Sequence, residues 1–299
     1  MIPAYNTGRY LEQTLKSVLE QDPGPDKMQI EVIDDCSTEG GLEGTVRSMG
    51  RGRIAYYRKK KNEGAIKNFN TCIERSQGEL VHILHGDDCV LPGFYQEMQS
   101  VAAKNPGTNA FICRSFTINE DNDIESLSSN IKGLSTPSKI IPKELIYSNE
   151  IKTPGVVIRK TFYEQHGGFL ESLPHVADWE MWTRCIALGE GVFLNKPLTC
   201  YRSFDGNDTG RLVRTGDNIR DCMKMSSFLS QRVPGFDAKK YTMYLAMGAK
   251  SQMEKFEKIG DGESAEKNRA LWKELSAKKT CMEKLTLTVN AVTAIWGAR

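Results

Sequence analysis

The sequence predicts an α/β protein built on a largely parallel sheet flanked by helices, with a helical C-terminal extension. Two observations predict it. Short β-rich runs alternate with stretches of helical periodicity over the first hundred or so residues. Three of those runs end in polar residues, at Asn6, at Asp34-Asp35 and at Gly86-Asp87-Asp88. In an open α/β sheet ligands bind outside the carboxyl ends of the strands. The acidic residues therefore collect on the edge where a ligand would sit.

The elements follow in order. Leu11, Leu15, Val18 and Leu19 carry helical spacing, and Asn6 or Thr7 is placed to cap that helix. Gln29–Ile33 reads as a strand, 41–49 as a helix, Arg53–Tyr57 as a strand and 65–76 as a helix after the turn at Asn62-Glu63-Gly64. Leu80–Leu84 is a short apolar strand. Residues 105–140 are rich in Asn, Ser and Asp, with a strand only at Ala110–Cys113. A second strand-and-helix region opens at Pro154–Arg159. Its helix starts at Asp178-Trp179-Glu180-Met181-Trp182 and ends near Gly189, with short strands at Val192–Leu194 and Leu198–Tyr201. Beyond 215 the pattern is helical. The expected division is 1–215, split into halves 1–104 and 105–215, and an extension over 216–299.

Composition narrows the function class. The 299 residues are 39% apolar and 26% charged, with 40 basic against 38 acidic side chains spread along the chain. Nucleic acid is not an expected partner, because that partner shows as a basic excess or stripe. The sharpest charge run, Arg58-Lys59-Lys60-Lys61, reads as a solvated loop, with phosphate contact as the alternative. Eight cysteines form no CxxC pair and no metal-ligand spacing with the four histidines, so reduced thiols and a cytoplasmic location are expected. No apolar run is long enough to cross a bilayer, and the N-terminus does not read as a signal peptide. The apolar segment 285–297 reads as core packing, with peripheral docking on a membrane as the alternative.

Asp87, at the end of an apolar strand and after a glycine, is suited to hold a divalent cation. The competing reading makes Asp87 and Asp88 caps for a helix over 93–103. Context separates the two. Ile2-Pro3-Ala4-Tyr5-Asn6, Val32-Ile33-Asp34-Asp35-Cys36-Ser37-Thr38, Asn62-Glu63-Gly64, Leu84-His85-Gly86-Asp87-Asp88 and Asp178-Trp179-Glu180-Met181-Trp182 occur in that order. Together they resemble glycosyltransferase family 2, whose members have the GT-A fold, over about residues 1–210.

The resemblance implies an inverting, metal-dependent transfer of a sugar from a nucleoside diphosphate, a UDP-sugar, to a saccharide or lipid-linked acceptor in surface polysaccharide synthesis. By it, Pro3, Ala4, Tyr5 and Asn6 line the nucleobase and ribose pocket, and Asp35 accepts the uracil ring N–H. Asn62, Gly64, Lys67 and Asn68 lie near base and phosphates. Gly86 sits beside the donor, and Asp87 matches the family's metal-binding aspartate for Mn²⁺ or Mg²⁺. Asp178 matches the general base, and Trp179 and Trp182 offer faces for the acceptor sugar or serve as core anchors.

Three departures stand against the family pattern. His85 replaces the usual first aspartate of the metal motif. Phe204 stands where many relatives have a histidine, which leaves Arg202, Asn207, Arg211 or Arg214 for phosphate contact. Only Met1 and Ile2 precede the Pro3 turn where relatives have a full strand, so a stunted first strand or a recorded start downstream of the natural one is expected, with reduced stability. The rival readings are a catalytically silent GT-A scaffold, favoured by His85 and Phe204, and a nucleotidyltransferase. The absence of a glycine-rich basic phosphate loop after the first strand counts against the second.

Overall fold

The structure, a computed structural model, describes residues 1–204 and 208–277. Expectations for Asn207 and for 285–297 fall outside the described residues. The chain divides into two compact units, Met1–Phe204 and Asp205–Arg299.

In the first unit, β1 (Ile2–Ala4), β2 (Glu31–Asp34) and β3 (Ala55–Arg58) form a parallel sheet in that order. The connecting helices are α1 (Gly8–Leu19) and α2 (Leu42–Gly50). A parallel pair needs such a crossover because its strands start at the same end. Leu11, Leu15 and Val18 bury one face of α1 as their spacing predicts. Thr7 is the N-cap but makes no side-chain cap bond; the Glu39 carboxylate accepts from Gly8 N–H at 2.6 Å instead. The first strand is short but paired on both sides. Its register with β2 runs Ile2 to Val32, and Leu84 and Gly86 N–H donate to the Met1 and Pro3 carbonyls.

After α3 (Ala65–Arg75) comes β4 (Leu80–His82), and then the turn that carries His85, Gly86 and Asp87. β5 (Cys89–Val90) follows, then α4 (Phe94–Lys104), β6 (Ala110–Ile118), β7 (Ile124–Leu127), β8 (Val156–Arg159), α5 (Lys160–His166), α6 (Ala177–Gly189) and β9 (Gly191–Arg202). The second sheet has the order β4-β8-β6-β9-β5, with β7 paired to β6. It is mixed: β6 and β9 run parallel, and the other pairs are antiparallel. The two short strands expected at 192–194 and 198–201 are one strand, β9, with register shifts opposite Arg114 where Pro197 withholds a ladder N–H. β5 and β7 were not legible in sequence, being two residues long and wholly exposed, respectively. The core gathers Ile2, Leu11, Leu15, Val32, Leu84, Phe94, Phe111, Val157 and Val192 under the sheets.

The second unit holds α7 (Asp208–Thr215), α8 (Asp217–Arg232), α9 (Ala238–Lys258) and a helical stretch over 262–277. Tyr241, Leu245, Ala249, Met253 and Phe256 repeat at three- and four-residue steps and form the buried stripe of α9. No helix among the described residues is long and apolar enough to cross a membrane.

Candidate active site

The ends of β1, β2 and the β4–β5 turn meet through the backbone. Asp35 N–H donates to the Ala4 carbonyl at 2.9 Å, and Gly86 N–H donates to the Pro3 carbonyl at 3.1 Å. Gly86 lets the turn approach closely here, since a Cβ would stand 2.7 Å from the Thr7 hydroxyl and force a shift. Asn6 adopts φ 52°, a left-handed conformation that asparagine tolerates, and its side chain accepts from Thr38 N–H at 2.9 Å. Asn6 thereby fastens the 37–39 loop. Tyr5 beside it is 44% exposed.

Asp34 and Asp35 organise the second strand end. Asp34 is buried and receives Ser37 N–H at 2.8 Å, the Ser37 hydroxyl at 2.6 Å, the Tyr56 hydroxyl at 2.7 Å and Arg58. Burial alone would raise its pKa; the donors from Ser37, Tyr56 and Arg58 outweigh it and hold the carboxyl below its usual range. Asp35 accepts from Glu63 N–H and Gly64 N–H at 3.1 and 2.8 Å, and its carboxylate lies 3.3 Å from the Lys59 ammonium. The solvated loop expected at Arg58–Lys61 is therefore corrected in part. Arg58 and Lys59 turn inward to neutralise Asp34 and Asp35, and Lys59 is buried. Asn62 is exposed and accepts from Gly64 N–H at 3.0 Å, and Lys67 lies exposed 3.7 Å from Glu171. Asn68 is buried and donates to the Ile33 carbonyl at 2.8 Å, which ties α3 to β2.

Asp87 and Asp88 do not cap α4, whose N-cap is Gly93. Asp88 is 1% exposed and accepts from Arg202 N–H at 2.8 Å, while Asp87 is half-buried at the turn. Burial first, and then the charge of Asp88, raise the Asp87 pKa to about 6. His85 Nδ1 lies 3.3 Å from Asp88 Oδ2. Burial disfavours a charged imidazole there, but the Asp88 carboxylate as hydrogen-bond acceptor, and then the charges of Asp88, Asp87 and Asp178, outweigh it and raise the His85 pKa. All three carboxylates thus act on one imidazole.

Asp178 enters from the first turn of α6 and is half-buried. Its oxygens accept from Trp179 N–H at 2.7 Å and from Asn149 Nδ2 at 2.8 Å, and burial is the largest cause that raises its pKa. A run of rings reaches from this helix to His85. Trp182 meets Phe169 edge-on at 5.9 Å, Phe169 meets Phe69 edge-on at 5.5 Å, and Phe69 stacks on His85 at 5.0 Å. Trp179 and Trp182 are each 2% exposed, and the Trp179 indole donates to the Leu145 carbonyl at 2.8 Å. Of the two readings open in sequence, the structure places both indoles as core anchors; neither presents a face to an acceptor.

Arg202 is also placed otherwise than expected. It is 1% exposed, and its guanidinium donates to the Asp87 and Asn119 carbonyls at 2.9 and 2.7 Å and to Gln13 and Asn122 at 2.8 and 2.9 Å. It braces the Asp87 turn from behind, with four of its five N–H groups committed there and the side chain buried away from solvent. Phe204 packs on Tyr10 at 5.6 Å, and Arg214 pairs with Asp261 within the second unit at 2.6 Å. Two partners were missed in sequence. Thr14 sits on the buried face of α1 and donates to the Asp88 carbonyl at 2.8 Å; a hydroxyl among Leu11, Leu15 and Val18 was the available signal. Asn149 lies in a segment without periodicity and gave none.

Comparison with known proteins supplies the lineage. Residues 1–166 match the family model described as Glycosyl transferase family 2. The chain belongs to glycosyl transferase family 2. An uncharacterized protein of Mycobacterium tuberculosis is 27% identical over 242 residues, covering 76% of this chain and 74% of that one. An uncharacterized glycosyltransferase of Haemophilus influenzae is 25% identical over 233 residues, 74% of this chain and 75% of the relative. The poly(ribitol-phosphate) β-N-acetylglucosaminyltransferase TarS of Staphylococcus aureus is 25% identical over 165 residues, 52% of this chain but 29% of TarS. Among solved structures, S. aureus TarS 1–349 in complex with UDP-GlcNAc aligns with a TM-score of 0.58 at 15% identity, covering 93% of this chain and 91% of that one. The mannosyltransferase PcManGT of Pyrobaculum calidifontis, in complex with GDP-Man and Mn²⁺, aligns at 0.56 and 17% identity over 100% of this chain and 86% of its own. These structural likenesses show the GT-A fold, and family 2 membership makes the chain a glycosyltransferase.

Proposed function

We propose that this family 2 protein is an inverting, metal-dependent enzyme that transfers a sugar from a UDP-sugar to a hydroxyl of a saccharide or lipid-linked acceptor, in surface polysaccharide synthesis in the cytoplasm. The observation that carries the reading is the imidazole of His85, acted on at once by Asp87 from one strand turn and Asp178 from α6. Half-buried carboxylates on two separate elements both act on that ring, which supports one carboxylate on the metal side and one on the acceptor side of a common site.

In this reading 1–104 binds the donor nucleotide and 105–215 the acceptor, with 216–299 as an extension. Tyr5 lies against the base, Pro3, Ala4 and Asn6 shape the ribose pocket, and Asp35 with the Asn62–Gly64 turn and Lys67 closes the donor side. Asp178 takes the proton of the acceptor hydroxyl. Its Asn149 and Trp179 hydrogen bonds fix the carboxylate, and burial keeps it basic enough for that transfer. A divalent cation, Mn²⁺ or Mg²⁺, neutralises the departing diphosphate when bound. The residues fit such an ion: His85, Asp87 and Asp88 offer ligand atoms within 4.8 Å of one another, and the buried Asp88 Oδ2 has no hydrogen-bond partner. Relatives named for N-acetylglucosaminyl transfer, and a TarS structure bound to UDP-GlcNAc, support a UDP-sugar as donor.

The test is metal-dependent release of UDP from a panel of UDP-sugars. Asp178→Asn abolishes transfer while UDP binding stays nearly intact, and Asp87→Ala weakens metal-dependent UDP binding. The silent-scaffold reading, which His85 and Phe204 favour, predicts UDP binding without turnover on any donor. A nucleotidyltransferase would release pyrophosphate from a nucleoside triphosphate.

A further inference from the structure

The imidazole of His85 is held in a defined pose. Phe69 stacks on one face with an interplanar angle of 14°. Nδ1 faces Asp88 Oδ2 at 3.3 Å, yet that oxygen is buried without a hydrogen-bond partner, as is His85 Nε2. The other Asp88 oxygen is committed to Arg202 N–H at 2.8 Å, so the carboxylate is turned with Oδ2 toward the ring. The turn itself is fixed from behind, by Thr14 on the Asp88 carbonyl and Arg202 on the Asp87 carbonyl.

We propose that His85 is itself a metal ligand, so that this chain binds its cation through a mixed nitrogen and carboxylate set of His85, Asp87 and Asp88. The proposal rests on the donor reading above and names the cation chemistry of that same site. Ligands about 2.1 Å from one ion stand roughly 3.0 Å apart when adjacent and about 4.2 Å apart when opposite. The 3.3 Å between His85 and Asp88, and the 4.8 Å bound on the whole group, lie within several tenths of an ångström of that geometry. An imidazole in place of a carboxylate removes one negative charge and adds a softer donor. The set then favours Mn²⁺ or Co²⁺ over Mg²⁺, which prefers an all-oxygen shell.

The experiment uses the full chain with Mn²⁺ and UDP, read by pulsed electron paramagnetic resonance. Directly coordinated imidazole gives a ¹⁴N modulation on the Mn²⁺ signal, which changes to the ¹⁵N pattern when histidine is ¹⁵N-labelled. That pattern is expected in the wild type and is lost in His85→Asp. Titration of His85→Asp is expected to show Mn²⁺ affinity at UDP-saturated sites falling relative to Mg²⁺ affinity by about tenfold or more. Mn²⁺ and UDP bound together without nitrogen coupling overturns the ligand role of His85 and leaves the donor reading standing. Failure of UDP to bind with Mn²⁺ present overturns the donor reading, and this proposal with it. Nitrogen coupling that persists in His85→Asp also overturns the assignment.

Discussion

Replacing Arg202 with methionine tests whether the Asp87 turn depends on the brace behind it. The side chain is 1% exposed and donates to two main-chain carbonyls, those of Asp87 and Asn119, and to the Gln13 and Asn122 side chains. It also lies 4.3 Å over the Tyr10 ring. Methionine fills most of the volume and removes all four hydrogen bonds. Gln13 and Asn122 are exposed and turn to water, so the lasting loss falls on the two carbonyls and the cation–ring contact. An acceptor stripped of a charged donor costs about 1–3 kcal/mol, which puts the variant roughly 3–5 kcal/mol below wild type. In a unit of this size that lowers the melting midpoint by about 10 °C. Thermal unfolding reads the stability. Mn²⁺ titration of UDP binding below the lowered midpoint reads the turn, with an expected affinity loss of about tenfold or more. Arg202→Lys should fall between, since one ammonium can serve only part of the set. A methionine variant that melts within about 2 °C of wild type, with unchanged Mn²⁺ affinity, would refute the reasoning.

The remaining predictions concern the same strand ends. Gly86→Ala places a Cβ 2.7 Å from the Thr7 hydroxyl and should cost about 1–3 kcal/mol in a urea melt; adding Thr7→Ala should recover most of the loss, and additive losses would contradict the contact. Asp34, held below its usual pKa range despite burial by Ser37, Tyr56 and Arg58, contributes stability that is present above about pH 4 and lost as pH falls through its lowered folded value; Asp34→Asn should flatten the acid limb of urea midpoint against pH. Asp178, raised chiefly by burial, should place the acid limb of UDP release above the ordinary carboxylate range, with activity rising as pH climbs through it; a limb near pH 4 would remove Asp178 as the base.

What was legible in sequence depended on where the constraint lay. Helix α1 was visible because an apolar stripe at period 3.6 is a local pattern, and α2, α3, α4 and α6 lie where helices were expected between the strands and turns. The placement of Asp34, Asp35 and Asp87 at strand ends was visible because polar residues follow directly on apolar runs. The long-range bonds were not. Nothing near Arg202 in sequence says that its guanidinium reaches Gln13, 189 positions away, and an arginine near a donor site is read by default as a phosphate ligand. The charge run at 58–61 misled for the same reason, since Lys59 is paired with acidic residues earlier and later in the chain. Trp179 and Trp182 stood beside Asp178 in sequence, but helical geometry points them elsewhere. One turn of α6 carries the carboxylate to the site and both indoles into the core.

The two departures that favour a silent scaffold can be weighed on physical grounds. Phe204 does not leave a hole in the chemistry by default. Its ring lies against Tyr10, whose ring lies under Arg202, which holds the Asp87 carbonyl, so the residue supports the turn through packing where a histidine could act by ligation. His85 puts a donor atom at the same turn, 3.3 Å from Asp88. Against both stands the energetic position of Asp87 and Asp178. Burial raises the pKa of each, so keeping either charged at neutral pH opposes folding. A chain selected only to hold a scaffold gains stability by replacing such residues with amides or apolar side chains. The fold gains nothing from either charge, so a ligand that meets them is what offsets the cost, and release of UDP from a donor separates an enzyme from a scaffold that only binds.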